Sequence, residues 1–576
     1  MKAFFYFLCL MIFATSNAQE YQYHSAQLYE STNGNITMKK VVKDDNGNYY
    51  ICGVFIGTVD FDPSTAVFTA TSTNKLVAFV QKLDANRNFI SVKTLVGIGS
   101  NDLVDIKDMV IKNNELLLAG AFTGSVDFDP SVATNIQTVT TGSLISNGDF
   151  FVAKYNLNID LLWVKKTGST SSDVINSIYV EENGKINAVG QFTGSTDFDT
   201  GSTNLIISTN GQGDAFYWQL DTNGAFLKAF KLGGSFNDEA FKVKVYNNQL
   251  FISGAFSATV DFNPSTTVTN NLVSSSGFNG FVAKYALNDH SYLQAVRITP
   301  QILDMDIDGS GNVFTTGLFN AATDDFDPSP TATFNLSSST FAKNYIVKLD
   351  SNLNFIWVKD FAKNDYGNNE FVDFDIDQNG NLYSVSRFKG VVDMDPSTAV
   401  FNLTPLAVNL YTKYHIFLQK LTNEGVLTYA GFVGNTSSDY NFLNDILVSN
   451  GEIIGVGDFD NTIDLDPNNT NQYKTNPNGQ KDAYILRLTE NTLSLSDFSN
   501  VRFDVFPNPT SNIVFITAND AINEIALFSL DGKQISKQKC NAFQYEMDLS
   551  AVQSGVYLIH IQTENLQSKT LKIIKN

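Results

Sequence analysis

The chain has 576 residues, with 38 Lys and Arg against 59 Asp and Glu, and a net charge of -21. That excess of acid excludes nucleic acid as the main partner and argues against an anionic membrane face, because both need a basic surface. Apolar residues make up 43% and aromatics 12%, enough for a large core, while charged residues are only 17%, so the chain reads as ordered, turn-rich and all-β.

Residues 1–18 have the pattern of a signal peptide. Lys2 is a short basic start, Ala3 to Ala14 is an apolar run, and Ser16-Asn17-Ala18 puts small residues before a cleavage site between Ala18 and Gln19. The run is too short to cross about 30 Å of hydrocarbon. No later segment approaches that length, so no membrane span is expected. Cys9 follows Leu8 rather than a small residue, which argues against a lipoprotein site. Cleavage leaves Cys52 and Cys540, far apart and in different domains, which are expected to be free thiols rather than a disulfide.

Residues 19–490 carry an internal repeat. Its marker is Asp-Phe-Asp-Pro, with the first Asp at Asp60, Asp127, Asp197, Asp261, Asp325, Asp393 and Asp464. A Phe precedes each copy: Phe55, Phe122, Phe192, Phe256, Phe319, Phe388 and Phe459. Around the marker each unit shows four strand patterns, here a to d. Strands a and b flank an Asn-Gly-type turn, c is an apolar run ending in a charged residue, and d follows. Four-stranded units repeated four to eight times are the pattern of a β-propeller, and a single unit of this kind cannot bury both of its faces alone. The chain starts with a lone d-like strand around Tyr23–Tyr29 and its last unit stops after c near Thr489. That offset predicts a seven-bladed propeller whose N-terminal strand completes the last blade.

Two readings of the marker compete. Asp60 and Asp62 lie two apart, so in extended chain both point one way, and such paired carboxylates suit calcium. Alternatively they accept backbone N–H groups in a turn stiffened by Pro63, while Phe61 fills the core. Asn263 replaces the second Asp in one unit, which favours the turn. A sharper calcium candidate is Asp304-x-Asp306-x-Asp308-Gly309, although Thr315 stands where a calcium loop has Glu, and the equivalent segments read as hairpin turns. No cofactor is expected unless calcium binds. The four His occupy no common repeat position and no hydrolase or nucleotide motif is present. No catalytic residue is therefore assigned. Trp163, Trp218 and Trp357 suit either sugar stacking or the core.

Residues 501–576 differ from the body. They hold seven Lys and Arg and seven Asp and Glu, so all the net acid sits upstream. After a polar join at 491–500 come short alternating strands at Phe503–Phe506, Ile513–Ile516, Glu524–Phe528 and Val556–Ile561, the pattern of a small Ig-like β-sandwich. The segments Phe506-Pro507-Asn508-Pro509-Thr510, Ser529-Leu530-Asp531-Gly532-Lys533, Leu549 to Tyr557 with Gly555 and Tyr557, and Lys569 to Lys575 with Lys572 carry a resemblance. The tail resembles the C-terminal sorting domain of proteins exported by the type IX secretion system of Bacteroidota. The body resembles β-propeller repeats of large secreted bacterial proteins. The resemblance implies partners in the type IX machinery and its sortase, removal of the tail, and a secreted or cell-surface location.

The expected function is a non-catalytic binding, adhesion or surface-scaffold protein that takes a glycan or protein ligand. The loops Gly168–Asp173 and Gly434–Asp439 are its candidate contacts. The competing reading is a secreted polysaccharide hydrolase or lyase, which needs one unit unlike the others with converging acids.

Overall fold

A computed structural model describes residues 21–576 except 132, 140–147, 200, 202, 321–322, 339–340, 364–368, 406–413, 435–440, 469–471, 476–479, 491–502, 531 and 564–567. The described residues contain strands and turns but no α-helix. The chain divides into two compact units, Met1–Asn491 and Thr492–Asn576.

The first unit contains seven sheets of four antiparallel strands, two of them extended by a short hairpin from the following repeat. Strands a are Ser31–Lys43, Val104–Lys112, Val174–Val180, Glu239–Tyr246, Ile302–Ile307, Glu370–Ile376 and Asn441–Ser449. Each strand a packs against the next, and the seventh packs against the first. All seven line one cavity. This is the β-propeller fold. The seventh sheet takes its outer strand from the start of the chain: Tyr21–Tyr29 pairs antiparallel with Asp482–Glu490, with Tyr21 opposite Glu490 and Tyr29 opposite Ala483. Both tyrosines are fully buried, and the Tyr21 hydroxyl bonds Tyr383 of the sixth sheet at 3.0 Å.

The repeats need one another because their apolar clusters bridge neighbouring sheets. Tyr50, Cys52 and Val80 of the first sheet pack with Leu116, Leu118 and Phe151 of the second. Ile454, Val456 and Ile485 of the seventh pack with Ile51, Phe55 and Phe79 of the first. A single sheet would leave these faces in water, at roughly 1.5–3 kcal/mol for each large side chain.

The Asp-Phe-Asp-Pro segments are turns in all seven repeats. The Asp60 Oδ1 accepts the backbone N–H of Asp62 at 3.0 Å and of Phe68 at 2.9 Å, and Asp62 accepts that of Ser64 at 2.9 Å. The same pattern recurs from Asp127 to Asp464. Asn263 keeps it because its amide oxygen accepts Ser265 N–H at 2.9 Å. The residue between the acids is fully buried, and where it is Phe its ring meets the upstream Phe edge-on, 5.4 Å apart for Phe55 and Phe61.

A second repeated device ties the sheets together. In four sheets the cation ending strand c reaches a carbonyl in the c–d turn of the next sheet. Lys82 donates to Leu157 O at 2.7 Å, Lys154 to Thr222 O at 2.7 Å, Lys284 to Ser351 O at 2.9 Å and Lys348 to Asn423 O at 3.1 Å. The seventh sheet has no such turn, and Lys420 bonds the Glu490 carboxylate at 2.8 Å instead.

The second unit holds one five-stranded antiparallel sheet, with strands at Phe503–Phe506, Ile513–Ser529, Gln534–Asp548, Gly555–Thr563 and Ser568–Lys575. The two separate strands expected between 513 and 528 are one continuous strand, with register shifts between Thr517 and Glu524. Gln534–Asp548 is an addition. It is mostly exposed and polar, so apolar alternation gave no signal for it. The core of this unit includes Val514, Ile516, Ile525, Leu527, Ile559, Ile561 and Ile573. Cys52 and Cys540 are both free.

Candidate functional site

The charged feature built by the fold is the cavity of about 370 Å³ enclosed by the seven a strands. At the level of the cavity each strand buries an apolar residue toward its sheet neighbours: Val41, Met109, Ile178, Val243, Met305, Phe374 and Ile446. Alternation then turns the residues on either side toward the axis. The level before the buried residue holds Lys40, Asp108, Ser177, Lys242, Asp304, Asp373 and Asp445. The level after it holds Val42, Val110, Tyr179, Lys244, Asp306, Asp375 and Leu447. Six carboxylates and three of these lysines share a small volume.

Ion pairs and backbone donors hold the acids in place. Lys40 pairs with Asp445 at 2.7 Å, Lys242 with Asp304 at 3.1 Å and Lys244 with Asp306 at 2.8 Å. The Asp108 Oδ2 accepts Ile178 N–H at 2.8 Å, Asp373 accepts Ile446 N–H at 2.9 Å and Asp445 accepts Val41 N–H at 2.8 Å, each reaching the next strand a. Burial pushes Asp375 up to about 7, reinforced by Asp306 and Asp373 and opposed by Lys244. Burial likewise raises Asp304 to about 6 against the pull of Lys242, and raises Asp373, with Asp445 adding to it.

The structure separates the three proposed calcium ligands. Asp304 and Asp306 point into the cavity and pair with lysines, whereas Asp308 closes a hairpin turn, accepting Ser310 N–H and Asn312 N–H at 2.9 Å each. Among the described residues no group of three His, Cys, Asp or Glu side chains is placed to hold a metal ion. The Asp-x-Asp signal at 304–306 was visible in the sequence, but it marks a cavity wall rather than a loop. The matching Asp373-x-Asp375 and Lys242-x-Lys244 give the same alternation, but the residue type changes from unit to unit, so no repeat signal marks them.

The loop Gly168–Asp173 is partly buried. Asp173 accepts the backbone N–H of Ser169 at 2.5 Å and of Thr193 at 2.7 Å, and burial raises it to about 6. Asp238 does the same for Gly234 and Ser257. Of Gly434–Asp439 only Gly434 lies among the described residues. Trp218 is core, its indole N–H donating to Phe198 O at 2.9 Å, whereas Trp163 and Trp357 are half-buried. His290 and His415 are buried, which lowers each to about 4.

A second cavity of about 560 Å³ lies between the fourth, fifth and sixth sheets, lined by Asn279, Asp324, Asn369, Glu370 and Tyr414 among others. Glu370 is ion-paired with Arg387, whose guanidinium also lies 4.1 Å from the Tyr414 ring and 4.0 Å from the Phe442 ring.

In the tail, the structure brings Asn508 and Lys572 together. The Asn508 amide donates to Lys572 O at 2.7 Å and its oxygen accepts Ile574 N–H at 2.9 Å, pinning the Pro507-Asn508-Pro509 turn to the last strand. Gly555 opens the fourth strand of the tail, and the Tyr557 hydroxyl donates to Gln553 O at 2.8 Å. The cleavage site at Ala18 and Gln19 lies outside the described residues. No helix among the described residues is long and apolar enough to cross a membrane.

Among curated proteins, an uncharacterized WD repeat-containing protein, L264 of Acanthamoeba polyphaga mimivirus, is 24% identical over 183 residues, 31% of this chain. The chain spans 13% of the length of that relative. Among solved structures, BamB from Moraxella catarrhalis is 9% identical over 80% of this chain and 99% of that one, with a TM-score of 0.32. PorZ, a surface component of the type IX secretion system of Porphyromonas gingivalis, is 12% identical over 95% of this chain and 100% of that one, with a TM-score of 0.15. Residues 504–576 match the secretion system C-terminal sorting domain family. That tail marks the chain as a cargo of the type IX secretion system, which interacts with that machinery and is delivered to the cell surface or beyond.

Proposed function

We propose that the body is a single seven-bladed ring, followed by an Ig-like sorting domain, and that it serves as a non-catalytic binding or adhesion scaffold at the cell surface. The observation that carries this reading is the use of the repeated acids. In all seven repeats the first Asp of the motif is engaged by two backbone N–H groups, and its partner caps the same turn. Such groups shape loops rather than move protons. The type IX sortase removes the tail and fixes whether the body is released or anchored, with Pro507, Asn508, Pro509, Gly555, Tyr557 and Lys572 as the recognised elements. A glycan or protein ligand meets the loop-rich face.

The competing reading, a polysaccharide hydrolase or lyase, draws support from the cavity that holds Asp324 and Glu370 beside Tyr414. Incubating residues 19–490 with polysaccharides and matrix proteins, with and without calcium, separates the two. Saturable binding without new reducing ends or cleaved products is the expected result. Product release would replace the scaffold reading with the enzyme.

A further inference from the structure

The central cavity holds more acid than its cations neutralise. Three of its six carboxylates have a lysine within 3.1 Å, namely Asp445, Asp304 and Asp306. Lys112, at the edge of the cavity, is paired with Glu182. Strand a of the sixth sheet instead presents Asp373 and Asp375, two residues apart on one face, with no cation in ion-pair contact among the described residues, although Lys40, Lys242 and Lys244 act on them at longer range. Asp373 is only 7% exposed. Its Oδ2 accepts Ile446 N–H, and its Oδ1 has no hydrogen-bond partner among the described residues. Across the ring, the second and third sheets present Val110 and Tyr179, with Val42 and Leu447 completing an apolar wall. The other charged groups facing this pair are Lys40, Asp108, Lys242, Lys244, Asp304, Asp306 and Asp445.

We propose that the cavity binds a primary alkylammonium group, with its nitrogen on Asp373 and Asp375 and its methylene chain along Val110 and Tyr179. A bare metal ion fits less well. Four of the seven positions on the second level are Val42, Val110, Tyr179 and Leu447, no three ligating side chains converge among the described residues, and the volume of 370 Å³ is many times the roughly 30 Å³ of one water. The raised titration of Asp375 fits the same picture, since burial, Asp306 and Asp373 outweigh Lys244 there and a further cation would favour the charged form. The ammonium is supplied either by a free diamine or by the lysine side chain of a polymer. The site is separate from the loop faces assigned to adhesion, so either assignment stands without the other.

Calorimetric titration of the full secreted chain at pH 8 tests the proposal, using cadaverine, a blocked lysine peptide and calcium chloride. One-to-one cadaverine binding is expected, with at least a tenfold loss in Asp373→Asn/Asp375→Asn, whose amide oxygens still accept the backbone N–H groups. Binding of cadaverine alone assigns a free diamine, and binding of the peptide as well assigns a side chain. If the double variant does not fold, the wild-type chain gives the readout: affinity falls as pH drops from 8 to 5, by roughly tenfold per unit once the acids protonate. No saturable ammonium binding, pH-independent binding, equal binding by a folded double variant, or calcium binding in place of cadaverine overturns the proposal.

Discussion

Acid is used in two opposite ways in the turns and in the cavity of the propeller. At the turns, Asp60 and its six counterparts each take two backbone N–H groups, and their charge is satisfied locally. In the cavity, Asp373 and Asp375 take one neighbouring strand's N–H each and face other carboxylates. The same side chain is therefore a structural acceptor in one place and a source of unrelieved charge in the other. Net charge alone could not separate them. The turn motifs supply 13 of the acids, and those say nothing about partners, whereas the proposed cation site rests on two in the cavity, Asp373 and Asp375.

The comparison can be broken by substitution. The largest effect is expected at ring closure, where Tyr21→Ala empties a fully buried site between the sixth and seventh sheets. Loss of an aromatic of this size costs about 3–5 kcal/mol, readable as a lower urea midpoint. At the turns, Asp127→Ala removes an acceptor of two N–H groups, Asp129 at 3.0 Å and Asn135 at 2.8 Å. It is expected to cost about 2–3 kcal/mol, and a change below 0.5 kcal/mol would show that the acid is not a turn acceptor.

In the cavity the sign reverses. A carboxyl raised to about 7 in the folded chain, from an ordinary value of 3.8, binds its proton more tightly folded than unfolded. Its contribution to stability is therefore present at low pH and is lost as pH rises from about 4 through 7. Asp375→Asn is expected to stabilise the body by roughly 1 kcal/mol at pH 8 and to have no effect near pH 4. Destabilisation at pH 8 would mean that the charge is already compensated. The smallest effect is expected for Asn263→Asp, which restores the common motif while keeping the same acceptor oxygen, within about 0.5 kcal/mol by thermal melting.

Much of the fold was legible because the features that make it are local and repeated. The buried apolar residue of each marker (Phe in five, Met394 and Leu465 in the others), its upstream Phe partner and the Asn- or Gly-containing turns recur at fixed places, so one unit could be checked against six others. The offset between the lone strand at Tyr23–Tyr29 and the missing last strand pointed to the pairing now seen with Asp482–Glu490. The cavity was not legible in the same way. Its positions repeat but its residue types do not, since one position is filled by Lys40, Asp108, Ser177 and Asp373 in different sheets. Packing of neighbouring sheets puts Asp304 beside Lys242, and only closing the ring puts Lys40 beside Asp445. The inter-sheet lysine ties were hidden for a related reason. Lys82 is visible as the end of strand c, but its acceptor, Leu157 O, is 75 residues away.

Ring closure is tested most directly by deleting residues 19–30 from the body and following thermal unfolding. The closed ring predicts loss of a single cooperative transition, with recovery when the peptide Tyr21–Tyr29 is supplied separately. An unchanged midpoint and transition in the deleted chain would contradict it.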